Sequence, residues 1–416
     1  MISKKYIVFF LFLIPFLVKG QAVEETAPPF NIKTVTFTQN GTNAFPFFKL
    51  GDSFQLSFDD LYGNEEDYFF SITHHNYNWE PSELSKAEYL SGTDNQRVQD
   101  YENSFNTLQL YSHYRLQFPN NFFRIIKSGN YLVSVYNDKG VVFSKKFIIY
   151  EDLTEVPVQI KRSRNVSDIK EKQNVDFAVK SQQILFQNPN QNVKVVLFQN
   201  GKWNNRIADI KPQYNIGNDL IYKYNSETQF FAGNEYLNFD NKEIRVPTNT
   251  ILRVDASNGL YSAYLYTDSA RKNKGYTFFP DINGGFINRN LIAQNSQVEA
   301  DYAWVYFSLF APEYPAKANI YVTGMFNNYL LTDDNKMDYN KEKGVFEKAI
   351  LIKQGFNNYC YTLLDNQNKL DEKNAIDGNY FETENIYNVL VYYRANGERY
   401  DRVIGKGEAS SVNIIN

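Results

Sequence analysis

Short runs of β-branched and aromatic residues recur along this chain, and no apolar pattern of helical period reaches a useful length. Ile32 to Thr38 (IKTVTFT), Phe54 to Phe58 (FQLSF), Val193 to Asn200 (VKVVLFQN) and Tyr387 to Arg394 (YNVLVYYR) are typical. Gly, Asn or Asp punctuates the chain within three residues of each run, as it does between strands. Successive strand residues face opposite sides, so such segments bury their rings by stacking sheet on sheet. Aromatics make up 17% of the 416 residues, enough to fill several such cores. At about 150 residues per domain the length predicts about three domains. The expected fold is therefore all-β, with three consecutive immunoglobulin-like or early-set β-sandwich domains. Turn clusters place them at residues 30–152, 155–298 and 300–408, followed by a flexible tail at 409–416.

Residues 1–20 have the parts of a secretory signal peptide. Lys4 and Lys5 precede the apolar run Tyr6 to Val18, and Lys19-Gly20 stands before Gln21 as a cleavage site. No later segment reaches the roughly 18 apolar residues of a membrane-spanning helix. A transmembrane β-barrel fits poorly with uneven connections and a polar end at Asn416. The formal net charge of −4 lacks the footprint of a nucleic-acid binder. Cys360 is the single cysteine, so no intramolecular disulfide forms. Its place in the run Asn358 to Leu364 predicts a buried, inert thiol.

No catalytic constellation stands out. His74 and His75 are adjacent and would face opposite sides of a strand, and His113 lies far off in sequence. All three read as ordinary surface or half-buried histidines. No HExxH, GxSxG, P-loop or GxGxxG pattern is present. Asp281-Ile-Asn283-Gly284 begins like a calcium loop, but Ile292 stands where the closing Glu is needed. The expectation is no catalytic residue, no metal, no cofactor and no small-molecule substrate.

Partner contacts are the remaining candidates. Trp79 lies in an irregular insertion and Trp203 follows the turn Asn200-Gly201, whereas Trp304 reads as core. In Phe230 to Arg245 (FFAGNEYLNFDNKEIR), Gly233-Asn234 marks a turn before Glu235 and Tyr236. Trp79, Trp203, Gly233, Asn234, Glu235 and Tyr236 form the candidate contact set. Glu235, Asp240 and Arg245 sit among large aromatics, where charges need partners, and are expected to form a structural ion cluster.

Several of these stretches, taken in order, resemble one family. They are HHNYNWEPSELSKAEYLSG (His74 to Gly92), YENSFNTLQLYSHYRLQFPN (Tyr101 to Asn120), SGNYLVSV (Ser128 to Val135) and FQNGKW (Phe198 to Trp203). FFAGNEYLNFD (Phe230 to Asp240), YTDSARKNKGY (Tyr266 to Tyr276) and DINGGF (Asp281 to Phe286) complete the set. Together they resemble the plug protein family of the type IX secretion system. The resemblance implies a non-enzymatic, exported periplasmic protein from a Bacteroidota-type Gram-negative host. Its implied partner is the outer-membrane translocon barrel, whose periplasmic end it would bind and seal. The third unit is also similar to early-set, glycogen-binding-type sandwiches, through VTGMFNNY (Val322 to Tyr329) and GVFEKAILIKQGFNNYCYTLLD (Gly344 to Asp365). That second likeness implies an alternative, a secreted carbohydrate-binding or glycan-processing accessory protein. Tyr329 stands there where sugar-binding relatives have Trp.

Overall fold

A computed structural model describes residues 22–256, 259–412 and 414. The expected leader at residues 1–20 lies outside the described residues. Strands account for 45% of the chain and helices for 4%, which makes the fold all-β. Among the described residues, no helix is long and apolar enough to cross a membrane.

The first domain is a sandwich of two antiparallel-dominated sheets. One orders Thr42–Asn43, Ile32–Gln39, Phe54–Asp60, Ser112–Phe118 and Asp100–Asn103; the other orders Phe47–Lys49, Gly140–Tyr150, Gly129–Asn137 and Phe69–His75. Alternate residues of both sheets meet in an aromatic core. Phe54 stacks on Phe48 and Phe118, and Phe147 closes the group. Ring-on-ring packing of this kind adds about 0.5–1.5 kcal/mol per pair beyond area burial.

The second and third domains are not consecutive. Val193–Gln199 pairs with Ile386–Tyr393, which pairs with Arg402–Ser410. These C-terminal strands complete the second sandwich opposite Val158–Arg162, Lys172–Val179 and Asp219–Tyr222. Tyr387, Val389, Val391 and Tyr393 alternate into its core. The expected boundaries 155–298 and 300–408 are corrected accordingly. Leu237–Asp240, Ile251–Asp255, Tyr261–Leu265 and Phe286–Asn288 join the sheets of the third domain. That domain is inserted into the second. Alternation predicts that Tyr387 to Arg394 is a strand; which neighbour it pairs with depends on shape complementarity 190 residues away.

The tail differs from expectation too. Ala409 and Ser410 continue the last strand, and Ser411 is buried, its Oγ accepting from the Asn385 N–H. All three histidines are buried rather than at the surface. His74 bonds Ser82 and the Ser128 carbonyl, His75 bonds the Trp79 carbonyl, and His113 bonds Asp59. In each case the half-buried side chain that sequence suggests is covered by a neighbouring loop or domain.

Candidate functional site

The three domains meet at one junction, and the turn after Val193–Gln199 is its centre. Asn200 and Gly201 both take positive φ, at 50° and 66°. A Cβ on Gly201 would lie 2.3 Å from the Phe45 ring of the first domain, so only glycine lets this turn dock there. The turn delivers Lys202 and Trp203. Trp203 packs edge-on against Trp79, at 5.4 Å between centroids, and against Phe198 and Phe47. The Lys202 Nζ sits 5.1 Å from the Tyr236 ring and 4.9 Å from the Tyr329 ring. Cation–π placement of this kind helps to hold the lysine, and the Glu372 carboxylate also feels its charge.

From the third domain, the turn at Gly324 leads through Met325–Asn327 to Asn328 and Tyr329, both at positive φ. Asn328 donates to the Val35 carbonyl and accepts from Lys145, tying the third domain to the first. The Tyr329 hydroxyl lies 3.3 Å from the Tyr236 hydroxyl. Tyr329 thus packs between domains beneath Lys202, not on an open sugar-stacking face. Cys360 is half-buried here, lining a small cavity of about 100 Å³ with Lys202, Tyr236, Tyr329 and Glu372.

On the side of the first domain runs a strap, Ala22 to Thr26. The Val23 N–H donates to the Trp79 carbonyl, and Thr26 exchanges hydrogen bonds with Ser144. Glu24 pairs with Lys146 at 2.9 Å and Glu25 with Lys145 at 3.2 Å. Both lysines are buried, so these acids compensate charges that would otherwise be costly. Between strap and turn lies a cavity of about 290 Å³.

The candidate contact set divides. Trp79 and Trp203 come together, but inside the interface of the first two domains; Trp79 is 5% exposed. It is a packing residue, not a free contact. Gly233 takes a positive φ of 67°, but it and Asn234 lie in an irregular connection and not in the expected turn, pinned by the Asn379 side chain and the Asp377 carbonyl. Glu235 is buried at the second–third domain junction. It accepts from the Tyr276 hydroxyl and the Glu384 N–H, and burial pushes its carboxyl up to about 7.

The expected ion cluster does not form. Asp240 pairs with Lys242, and Arg245 is exposed, with its own N–H donating to Glu243. Glu235 and Asp240 lie on different structural segments: the first precedes the strand Leu237–Asp240 and the second ends it. The cation that serves this stretch is Arg271, which ion-pairs with Asp377 and donates to the Glu235 carbonyl. Arg271 stands in the YTDSARKNKGY motif, but nothing local indicates a partner 106 residues away. Replacing Arg245 with Ala is expected to change stability by less than about 0.5 kcal/mol, as for other exposed surface residues away from buried networks. A urea midpoint shifted further would restore the ion-cluster idea.

Glu235 carries a pH prediction. Its pKa in the folded state is raised above the unfolded carboxylate value, so the folded protein binds the extra proton. Stability is then greatest below the unfolded pKa of about 4.3 and falls as pH rises through about 7. Glu235→Gln keeps an acceptor for Tyr276 and Glu384 and removes the charge. It is expected to stabilise the chain by about 2 kcal/mol at pH 8 and by little at pH 5. Equal effects at both values in parallel urea titrations would refute a buried carboxylate there.

A second surface feature lies at the first–third domain seam. Tyr62, Phe105, Leu108 and Leu110 are 71%, 69%, 51% and 61% exposed. Their loop is nevertheless pinned. Phe105 N–H donates to the Val298 carbonyl, Leu108 and Gln109 N–H groups to the Asp301 carboxylate, and the Gln109 side chain to the Leu61 carbonyl. Exposed apolar side chains carried on a pinned loop are candidates for an interaction surface. Among the described residues, no three His, Cys, Asp or Glu side chains are placed to hold a metal ion.

Residues 32–151 match the family described as type 9 secretion system plug protein 1st domain. A crystal structure of a hypothetical protein from Parabacteroides merdae superposes with a TM-score of 0.88. It shares 29% identity and covers 93% of this chain and 98% of its own. No curated protein matches the chain.

Proposed function

We propose that this chain, whose residues 32–151 match the first domain of the type IX secretion system plug family, binds and seals the periplasmic end of the outer-membrane translocon barrel. The observation that carries the reading is the match over residues 32–151. The architecture supports it in physical terms. A seal must keep its shape against a wide opening, and here an inserted third domain, an aromatic first–second interface and a buried ionic first–third interface brace the body.

In this reading the protein is non-enzymatic and works in the periplasm. The cluster Tyr62, Phe105, Leu108 and Leu110 supplies apolar anchors for the barrel, and Asn-rich loops supply a wet rim that can be released when cargo arrives. Tyr329, covered by Lys202, leaves the carbohydrate alternative without its stacking surface.

The test is to pull tagged protein from gently solubilised outer membranes and identify what accompanies it. The translocon barrel should co-purify, and Phe105→Asp with Leu110→Asp should reduce its yield several-fold. Deletion of the protein should make cells more sensitive to large antibiotics. Absence of the barrel from the pull-down, with antibiotic sensitivity unchanged on deletion, would sink the sealing role.

A further inference from the structure

We propose that the cleft where the three domains meet is a docking groove for an extended, acidic segment of a partner protein, received by Lys202 and Arg206. The cavity of about 290 Å³ is lined by Lys145, Lys146, Lys202 and Arg206 against only two carboxylates, Glu24 and Glu25. The strap's two acids are taken by Lys145 and Lys146. Lys202 and Arg206 form no ion pair among the described residues. Lys202 rests on two tyrosine rings, with Glu372 behind it as a longer-range countercharge, and Arg206 donates to the Trp203 carbonyl. The groove therefore holds an excess of positive charge in a partly desolvated setting, where an incoming carboxylate gains more than at an open surface.

The strap shows the binding mode that such a wall accepts. It is extended and makes a main-chain bond to the Trp79 carbonyl. Glu25 takes both the Lys145 ammonium and the Lys146 N–H. A partner segment lying alongside would present its carboxylates to Lys202 and Arg206. Its aliphatic parts would rest on Phe45 and Trp203, which line the same cavity. The volume sits at the lower limit of about 300 Å³ for ligand pockets, suited to a few peptide side chains and too small for a large cofactor. This groove lies apart from the apolar cluster assigned to barrel contact, and its test does not depend on that assignment.

The probe is a fluorescein-labelled peptide with the strap's own sequence, AVEETAPP, titrated against the full chain by fluorescence polarisation. Saturable binding is expected, weakening as salt rises. Glu24→Gln with Glu25→Gln should bind the peptide more tightly, because two competing acids leave the groove. Lys202→Glu with Arg206→Glu should weaken binding by about tenfold or more. If the double variant fails to fold by circular dichroism, Arg206→Glu alone, on an exposed side chain, carries the comparison. Binding left unchanged by the reversals, or no saturable binding to either the native or the Glu24→Gln, Glu25→Gln chain, overturns the groove.

Discussion

Asp59→Asn is expected to destabilise the protein by about 3–5 kcal/mol, the usual cost of breaking a buried ion pair from one side. Asp59 is fully buried at the first–third domain interface. One carboxylate oxygen accepts from His113 at 2.6 Å, and the other accepts from Lys353 at 2.7 Å and from the Tyr302 hydroxyl at 2.6 Å. Asparagine keeps the shape but leaves the Lys353 ammonium, itself 2% exposed, without its counter-ion. Adding Lys353→Met should recover most of the loss, because the stranded charge goes with it. Stability would be read from urea unfolding followed by far-UV circular dichroism. A single variant that melts with the native chain would show that this cluster is not an ion pair in solution.

The same cluster sets an acid limit. Burial alone would raise the Asp59 pKa, but Lys353 and His113 beside it hold it below the ordinary carboxylate value. The stability it contributes is therefore present above the unfolded pKa of about 3.9 and lost as pH falls through the lower folded value. Glu235 acts in the opposite sense, losing stability as pH rises towards neutrality. The two carboxylates brace different domain interfaces and together predict a stability maximum in mildly acidic solution.

Trp79→Ala is expected to cost about 3–5 kcal/mol, as for other buried tryptophans cut to alanine. Trp79 is enclosed by Trp203, His75 and the Lys146 ammonium, and packs in a cluster with Phe47, Ile148, Phe198 and Tyr392. That cluster joins the first sandwich to the second. Its loss should separate their unfolding, so that a thermal scan shows an early transition absent from the native chain. One undivided transition at the native temperature would mean that Trp79 contributes no coupling.

How much of this was legible beforehand depends on range. Alternating runs such as Ile32 to Thr38 and Gly129 to Tyr136 were readable as strands, because side-chain alternation and turn chemistry act within a few residues. The positive φ of Gly233 suits its glycine, but the pair sits in an irregular connection and not in a turn. The exposure of Arg245 was not readable, nor Arg271 as the partner of Asp377, because charge pairing is decided by atoms far apart in the chain. His113 and Asp59 gave no local hint of Lys353, which lies 294 residues from Asp59. The strap was legible only as a polar, proline-bearing leader. Its two glutamates acquire meaning from lysines about 120 residues away.

All-β architecture, aromatic cores and motifs similar to those of a secretion-system plug can be read from the order of residues. Each of those follows from local pattern or from short stretches kept in order. The tertiary structure alone decided that the third domain is inserted into the second, that Trp79 is interface and not surface, and that a cationic cleft remains where three domains meet. Those facts arise from pairings across many tens of residues, where burial leaves each strand edge and each charge few partners, and only the folded chain selects among them.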